Sequence, residues 1–230
     1  MLTIIIPVYN EENTILKILK KIEKQKTIKK QIIIVDDFST DNSLKKIKEF
    51  KFQNKYKIIT HKKNYGKGAC IISAKNFIKG DIVIIQDADL EYHPKDFKQI
   101  LTSFKNLKNS AVYGSRVLNK ERYNNKDFIS NFRIFANHML TIFSNLMNNQ
   151  NLTDAHTCYK AVRSKIFKKI KLCETGFSFC PELTTKLSNL NVSITEVPIK
   201  YSGRTFAEGK KIRFSDGIIA LITIIKYKFF

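Results

Sequence analysis

The chain has 230 residues, 43% of them hydrophobic and 11% aromatic, enough for one well-buried core; wholesale disorder is excluded. Lys and Arg outnumber Asp and Glu by 41 to 20, a formal net charge of +21, which favours anionic partners: nucleotides, nucleic acid or acidic lipid headgroups. No apolar run approaches the roughly 20 residues that span a bilayer, and four widely spaced cysteines with no signal peptide point to a reducing, cytoplasmic compartment.

In chain order, Leu2–Val8, Ile32–Val35, Tyr56–Thr60 and Ile82–Ile85 are short β-branched apolar runs, the pattern of buried parallel strands. Helical spacing lies between them, at Ile15 to Ile22, Leu44 to Phe50 and Ala69 to Ile78. Strand and helix in alternation predict a layered α/β sandwich, with a mainly parallel central sheet and helices on both faces. Beyond Asp89, Pro94 opens a helix to about Leu107, and Ala111–Gly114 reads as a strand. From Phe128 to Met147 the apolar residues at 128, 132, 135, 139, 143 and 146 keep a three-to-four spacing. That is a long amphipathic helix, whose plain reading is core packing and whose alternative is a membrane-facing role. A short helix at Pro181–Leu190, a strand at Val192–Ile199 and a closing helix at Phe214–Tyr227 complete one domain over residues 1–230.

In an open α/β sheet, ligands bind outside the carboxyl ends of the strands, so the polar residues after each run carry the functional information. They are Pro7-Val8-Tyr9-Asn10-Glu11, Asp36-Asp37-Phe38-Ser39-Thr40-Asp41, Asn64-Tyr65-Gly66-Lys67-Gly68 and Asp87-Ala88-Asp89-Leu90-Glu91. Along an extended backbone Asp87 and Asp89 point to one side and Ala88 away. Two such carboxylates chelate a hard cation, Mg2+ or Mn2+, when phosphates and waters complete its shell, with Glu91 as a third contributor; the alternative is a helix-capping turn. Gly66-Lys67-Gly68 either lets backbone approach a phosphate, with Lys67 as a charged contact, or starts a helix; it lacks Walker spacing. The six arginines are more informative than the lysine total, because a planar fork of donors suits oxyanions.

These groups, with Gly114-Ser115-Arg116, resemble family 2 glycosyltransferases of the GT-A fold over nearly the whole chain. Glu196-Val197-Pro198-Ile199 followed by Tyr201, Arg204, Gly209 and Lys210, with Thr157-Cys158-Tyr159-Lys160, is similar to the dolichol-phosphate mannosyltransferase and polyprenyl-phosphate glycosyltransferase branch. The resemblance implies a donor-binding part in residues 1–115 and an acceptor-side part with a closing helix in 116–230. Pro7, Tyr9 and Glu11 would border the nucleoside, and Asp37, with Asp36 beside it, the base or ribose. Asp87, Ala88 and Asp89 would line the donor diphosphate, the acids through the metal, and Arg116, Arg204 and Lys210 would hold phosphates, with Arg133 a weaker candidate. Glu91 stands where the mannosyltransferases usually have Gln, and the long hydrophobic membrane extension of some relatives is not expected here.

The resemblance implies inverting transfer of a sugar from a nucleotide-diphosphate donor to a polyprenyl phosphate, at a peripheral position on the inner membrane face. A sugar-hydroxyl acceptor in cell-surface polysaccharide synthesis is the alternative. It would need a general base, with Asp154 or Glu182 as candidates, whereas a phosphate acceptor is already ionised. Glu182 otherwise reads as a helix-start acid, and His156 and His93 as loop and turn residues. A nucleic-acid-binding module is the distant reading, and no zinc-finger, basic-zipper or RNA-stacking motif supports it. The sugar, the base and the oligomeric state stay open.

Overall fold

In the computed structural model, residues 1–118, 128–204 and 214–230 are described, the side chains of 128–131, 133 and 214 excepted. The first half alternates β1 (Leu2–Val8), α1 (Ile15–Glu23), β2 (Lys30–Asp36), α2 (Ser43–Glu49), β3 (Lys55–Thr60), α3 (Lys67–Ala74) and β4 (Ile82–Ile85). Then follow α4 (Phe97–Ser103), β5 (Ala111–Ser115), α5 (Phe128–Asn148), β6 (Lys160–Arg163), α6 (Ser164–Lys169), α7 (Phe179–Asn189), β7 (Ile194–Pro198) and α8 (Phe214–Phe229). The stretch predicted as a helix from Pro94 begins with a tight turn at Pro94–Asp96, and the one predicted over 69–78 ends in another at Lys75–Phe77.

The strands form one sheet in the order β3-β2-β1-β4-β6-β5-β7. β1 pairs in parallel with both β2 and β4, and β5 with β7; β6 alone runs against its neighbours β4 and β5. Ile4, Ile5 and Ile6 of β1 and Ile32, Ile33 and Ile34 of β2 are fully buried, as strands covered on both faces require. β3, at the edge, exposes Lys55, Tyr56 and Lys57. The ladder from β1 to β4 ends at Ile5, so Pro7, with no N–H to give, sits where β4 no longer asks for one. In α1, Ile15, Ile18, Leu19 and Ile22 are buried at helical spacing, against lysines on the outer side.

The helix α5 is turned the other way. Its inward residues are Thr141, Ser144 and Asn148, all buried, with Asn137 hydrogen-bonded to Asp154. Its outward residues include Phe132, Phe135, Met139, Ile142 and Leu146, all exposed. Of the apolar stripe read as core, positions 132, 135, 139 and 146 therefore face out and Phe143 is half-buried. Helix α8 packs against α5 and α7, and it too exposes Ile218, Ile219, Ile222, Ile225 and Phe229. Among the described residues no helix is long and apolar enough to cross a membrane.

Candidate active site

The carboxyl ends of β1, β2 and β4 are marked by sharp backbone turns. Asn10, Phe38 and Leu90, all non-glycine, take left-handed φ values of 50°, 63° and 67°, a conformation that costs energy and gathers at functional sites. Polar side chains stitch the first two turns together. Ser39 Oγ accepts from Asn10 N at 3.1 Å, Asp41 Oδ2 from Glu12 N at 3.0 Å and Ser43 Oγ from Glu11 N at 2.7 Å. Ser39 and Asp41 thus shape the loop after β1.

Asp37 is a latch for the loop after β3. Its Oδ1 accepts from Tyr65 N at 2.9 Å and its Oδ2 from Gly66 N at 2.7 Å, while His61 Nδ1 lies 2.6 Å from Oδ1. Asp36 is buried; its Oδ2 accepts from Ser39 N, and Oδ1 has no partner among the described residues. Candidate ligand atoms of Asp37, His61 and Cys70 lie within 4.8 Å of one another. Hydrogen bonds already engage the first two, however, and burial beside Asp37 and Asp36 pushes the Cys70 thiol far up, so it stays neutral.

The glycines of Gly66-Lys67-Gly68 admit backbone, but it is the chain's own. Gly66 has φ 98°, a Cβ there would sit 2.6 Å from Thr175 O, and one on Gly68 would sit 2.1 Å from Glu174 O. Ala69 N donates to Thr175 O at 3.0 Å. The close approach fixes the start of α3 and with it Lys67, whose Nζ lies 2.5 Å from Asp87 Oδ1.

Asp87 and Asp89 do come together, though not by strand alternation. β4 ends at Ile85, and residues 88–90 form a turn with Ala88 buried inside it. Burial, then the charges of Asp87 and Glu91, push the Asp89 carboxyl up to about 7. Adjacent carboxylates of this kind are hard oxygen ligands that suit Mg2+ or Mn2+. Glu91 points elsewhere: Tyr201 OH donates to its Oε2 at 2.9 Å and Arg204 N to its Oε1 at 2.7 Å. It holds the returning segment 201–204 over the site.

Arg204 bridges two strand ends. Its guanidinium donates to both oxygens of Glu11, at 2.9 and 3.1 Å, and lies 3.4 Å from Asp89 Oδ2. Glu11, which the resemblance implies at the nucleoside, is the buried anchor of this arginine. Arg116 is likewise engaged: Nε and Nη2 donate to Asp154 at 2.6 and 2.7 Å, and the guanidinium carbon stands 5.1 Å from the Tyr201 ring centre. Burial and this pair are incompatible with Asp154 as an open general base. Glu182 is no freer, accepting from Cys173 N, Glu174 N and Lys186 Nζ. Lys210 and the side chain of Arg133 lie outside the described residues.

Residues 3–171 match the model of Glycosyl transferase family 2. The chain belongs to this glycosyltransferase family. An undecaprenyl-phosphate 4-deoxy-4-formamido-L-arabinose transferase of Edwardsiella ictaluri is 27% identical over 97% of this chain and 65% of its own length. A dolichol-phosphate mannosyltransferase of Pyrococcus furiosus is 25% identical over 90% and 58%. A UDP-N-acetylglucosamine dolichyl-phosphate N-acetylglucosaminyltransferase of Methanococcus voltae is 26% identical over 98% and 96%. The chain thus spans about three fifths of the first two relatives. The fold is similar to glucosyl-3-phosphoglycerate synthase of Mycobacterium tuberculosis, solved with Mn2+, UDP and phosphoglyceric acid, at a TM-score of 0.75 and 14% identity over 100% of this chain and 78% of that one. That likeness establishes the GT-A architecture.

In this family 2 chain, sequence reasoning missed two residues at the site. His61, on Asp37, stands directly after β3, the strand-end position that located the other groups. Cys158 entered the sequence reading only within the Thr157–Lys160 resemblance; its place at the site, with Sγ 3.4 Å from Lys67 Nζ, has no local signal, because 91 residues separate the two.

Proposed function

We propose that the chain is an inverting, divalent-metal-dependent glycosyltransferase that moves a sugar from a nucleotide-diphosphate donor to a polyprenyl phosphate. The observation that carries this reading is the meeting of Asp87 and Asp89 with Lys67 and Arg204 at the carboxyl ends of the strands. An acid pair for one hard cation thus lies beside two cations for phosphate oxygens. Asp87 and Asp89 would hold the ion, which when bound supplies Lewis-acid neutralisation of the leaving diphosphate. Lys67 and Arg204 would orient the donor phosphates and stabilise the charge that develops as the anomeric C–O bond breaks. An oxygen of the acceptor phosphate attacks the opposite face of that carbon and needs no proton removed. The engagement of Asp154 and Glu182 favours this acceptor over a sugar hydroxyl. The curated relatives with undecaprenyl and dolichyl phosphate in their names support the same class. The enzyme would work at a membrane surface from one domain over residues 1–230.

The test is transfer of labelled sugar from UDP-, GDP- and dTDP-sugars to polyprenyl phosphate, with and without Mn2+. We expect Asp89→Asn to keep the melting temperature and lose transfer. Full turnover of that variant, or transfer that chelation leaves untouched, would sink the metal assignment.

A further inference from the structure

In the structure each acid of the pair already faces a cation of the protein, Asp87 at close range. Lys67 Nζ lies 2.5 Å from Asp87 Oδ1, and Arg204 Nη2 lies 3.4 Å from Asp89 Oδ2. The lysine is not a passing surface cation. Its side chain is 15% exposed, it leaves the first position of α3, and that position is fixed because backbone at Glu174 and Thr175 presses on Gly66 and Gly68. Its ammonium is flanked by Cys158 Sγ at 3.4 Å and by the Phe177 and Phe179 rings, with centres 5.9 and 5.7 Å away. Aromatic faces and a thiol satisfy a cation weakly, so Asp87 is its one strong partner among the described residues.

We infer that Lys67 is the internal counter-ion of the metal site, competing with the divalent ion for Asp87 until a nucleotide diphosphate draws the ammonium onto its phosphates, so that ion and donor bind as a coupled pair. The inference rests on the donor-site reading above. A divalent ion entering alone would face an ammonium on the same carboxylate in a poorly solvated pocket, where like charges repel more strongly than in water. A diphosphate removes the conflict by offering Lys67 oxygens of its own. Coupling is reciprocal, so Mn2+ tightens nucleotide binding by the factor by which nucleotide tightens Mn2+.

Mn2+ binding, followed by the loss of its free electron paramagnetic resonance signal, tests this on the purified chain with and without UDP or GDP. The wild type should bind Mn2+ weakly alone and about tenfold or more tighter with one nucleotide, the usual scale of a coupling between sites. Lys67→Met should bind Mn2+ about tenfold tighter without nucleotide and lose most of the coupling. Lys67→Arg, which keeps the cation, should resemble the wild type. Circular dichroism melts of each variant establish that it is folded. Nucleotide-free Mn2+ affinity that is unchanged or weaker in Lys67→Met would overturn the inference, making Lys67 a supporting neighbour of the ion. If Lys67→Met gains Mn2+ affinity but no chain binds nucleotide, the counter-ion role stands and the donor reading falls. Absence of Mn2+ binding in every chain and condition would overturn both.

Discussion

Arg204 is joined to Glu11 across 193 positions of sequence and to Asp89 in space, so it holds the ends of β1 and β4 in register over the site. Arg204→Ala should reduce transfer by roughly 100-fold or more, the scale of removing a preorganised oxyanion contact. Nucleotide binding should suffer less. Near-normal transfer would return Arg204 to a purely structural tie between Glu11 and the 201–204 segment. A second single-residue test uses Lys160, which is buried with Nζ 2.6 Å from Ala155 O, 3.0 Å from Thr184 Oγ1 and 3.8 Å from the Tyr113 ring centre. Burial holds its amine down at about 8, below the ordinary 10.5. Below pH 8 both folded and unfolded chains are protonated there, and the fold bears a buried cation. Between pH 8 and 10.5 the unfolded chain binds more protons, so stability rises with pH by at most about 3 kcal/mol. Urea unfolding should show the wild type gaining on Lys160→Met from pH 7.5 to 10; parallel curves would remove Lys160 as the titrating group.

Between elements, the Arg116 to Asp154 pair joins the end of β5 to the loop before β6, while Asn137 of α5 donates to the same carboxylate at 3.2 Å. Asp154 is fully buried. Removing one partner of such a pair strands a charge, so Arg116→Ala should destabilise the fold by about 3–5 kcal/mol, whereas Arg116→Met with Asp154→Leu should recover most of that loss. Native stability in Arg116→Ala together with lost transfer would restore the arginine to a phosphate. The elements legible in sequence were those whose burial is local and two-sided, such as β1 with Ile4 to Ile6 and β2 with Ile32 to Ile34. β6 and α6 were not, because Lys160-Ala161-Val162-Arg163 looks polar. Lys160 is accommodated by the carbonyl of nearby Ala155 and by the ring of Tyr113, distant in sequence, and Arg163 by the equally distant Asn109 O and Phe104 O. Glu11, Asp37, Lys67, Asp87 and Asp89 were singled out from their place after the first four strands, and Arg116 and Arg204 through the family resemblance. Their pairings were not legible, since Glu11 with Arg204 and Lys67 with Cys158 are set by topology. Periodicity likewise located the apolar stripe of α5 without saying which way it faced.

Over the whole molecule, the outward stripes of α5 and α8 form an apolar surface on a chain of net charge +21. Each large apolar side chain left in water forgoes about 1.5–3 kcal/mol of burial, and α5 turns its polar side inward instead, so the arrangement implies an occupant. A second copy would bring two strongly positive chains together, whereas an anionic bilayer offers an apolar interior beneath a negative surface, where each nearby Lys or Arg adds about 1 kcal/mol. The inner sides of both helices lead to the site. Asn137 of α5 reaches Asp154, and Lys226 and Tyr227 of α8 meet Glu174 Oε1 at 2.9 and 2.8 Å, next to the Thr175 carbonyl that packs on Gly66. A membrane against this face would bring a lipid phosphate to the side of the protein whose supports also position Arg116 and Lys67. The chain should therefore co-sediment with phosphatidylcholine vesicles containing phosphatidylserine, less with phosphatidylcholine alone, and less again at high salt, which screens the attraction. Ile142→Asp and Ile222→Asp alter exposed positions and should leave the melting temperature near native, yet each should weaken vesicle binding about tenfold, since losing one inserted apolar side chain is worth about that factor. Failure to sediment even at low salt, with a dimer in analytical ultracentrifugation that both substitutions dissociate, would assign the surface to a second copy of the chain.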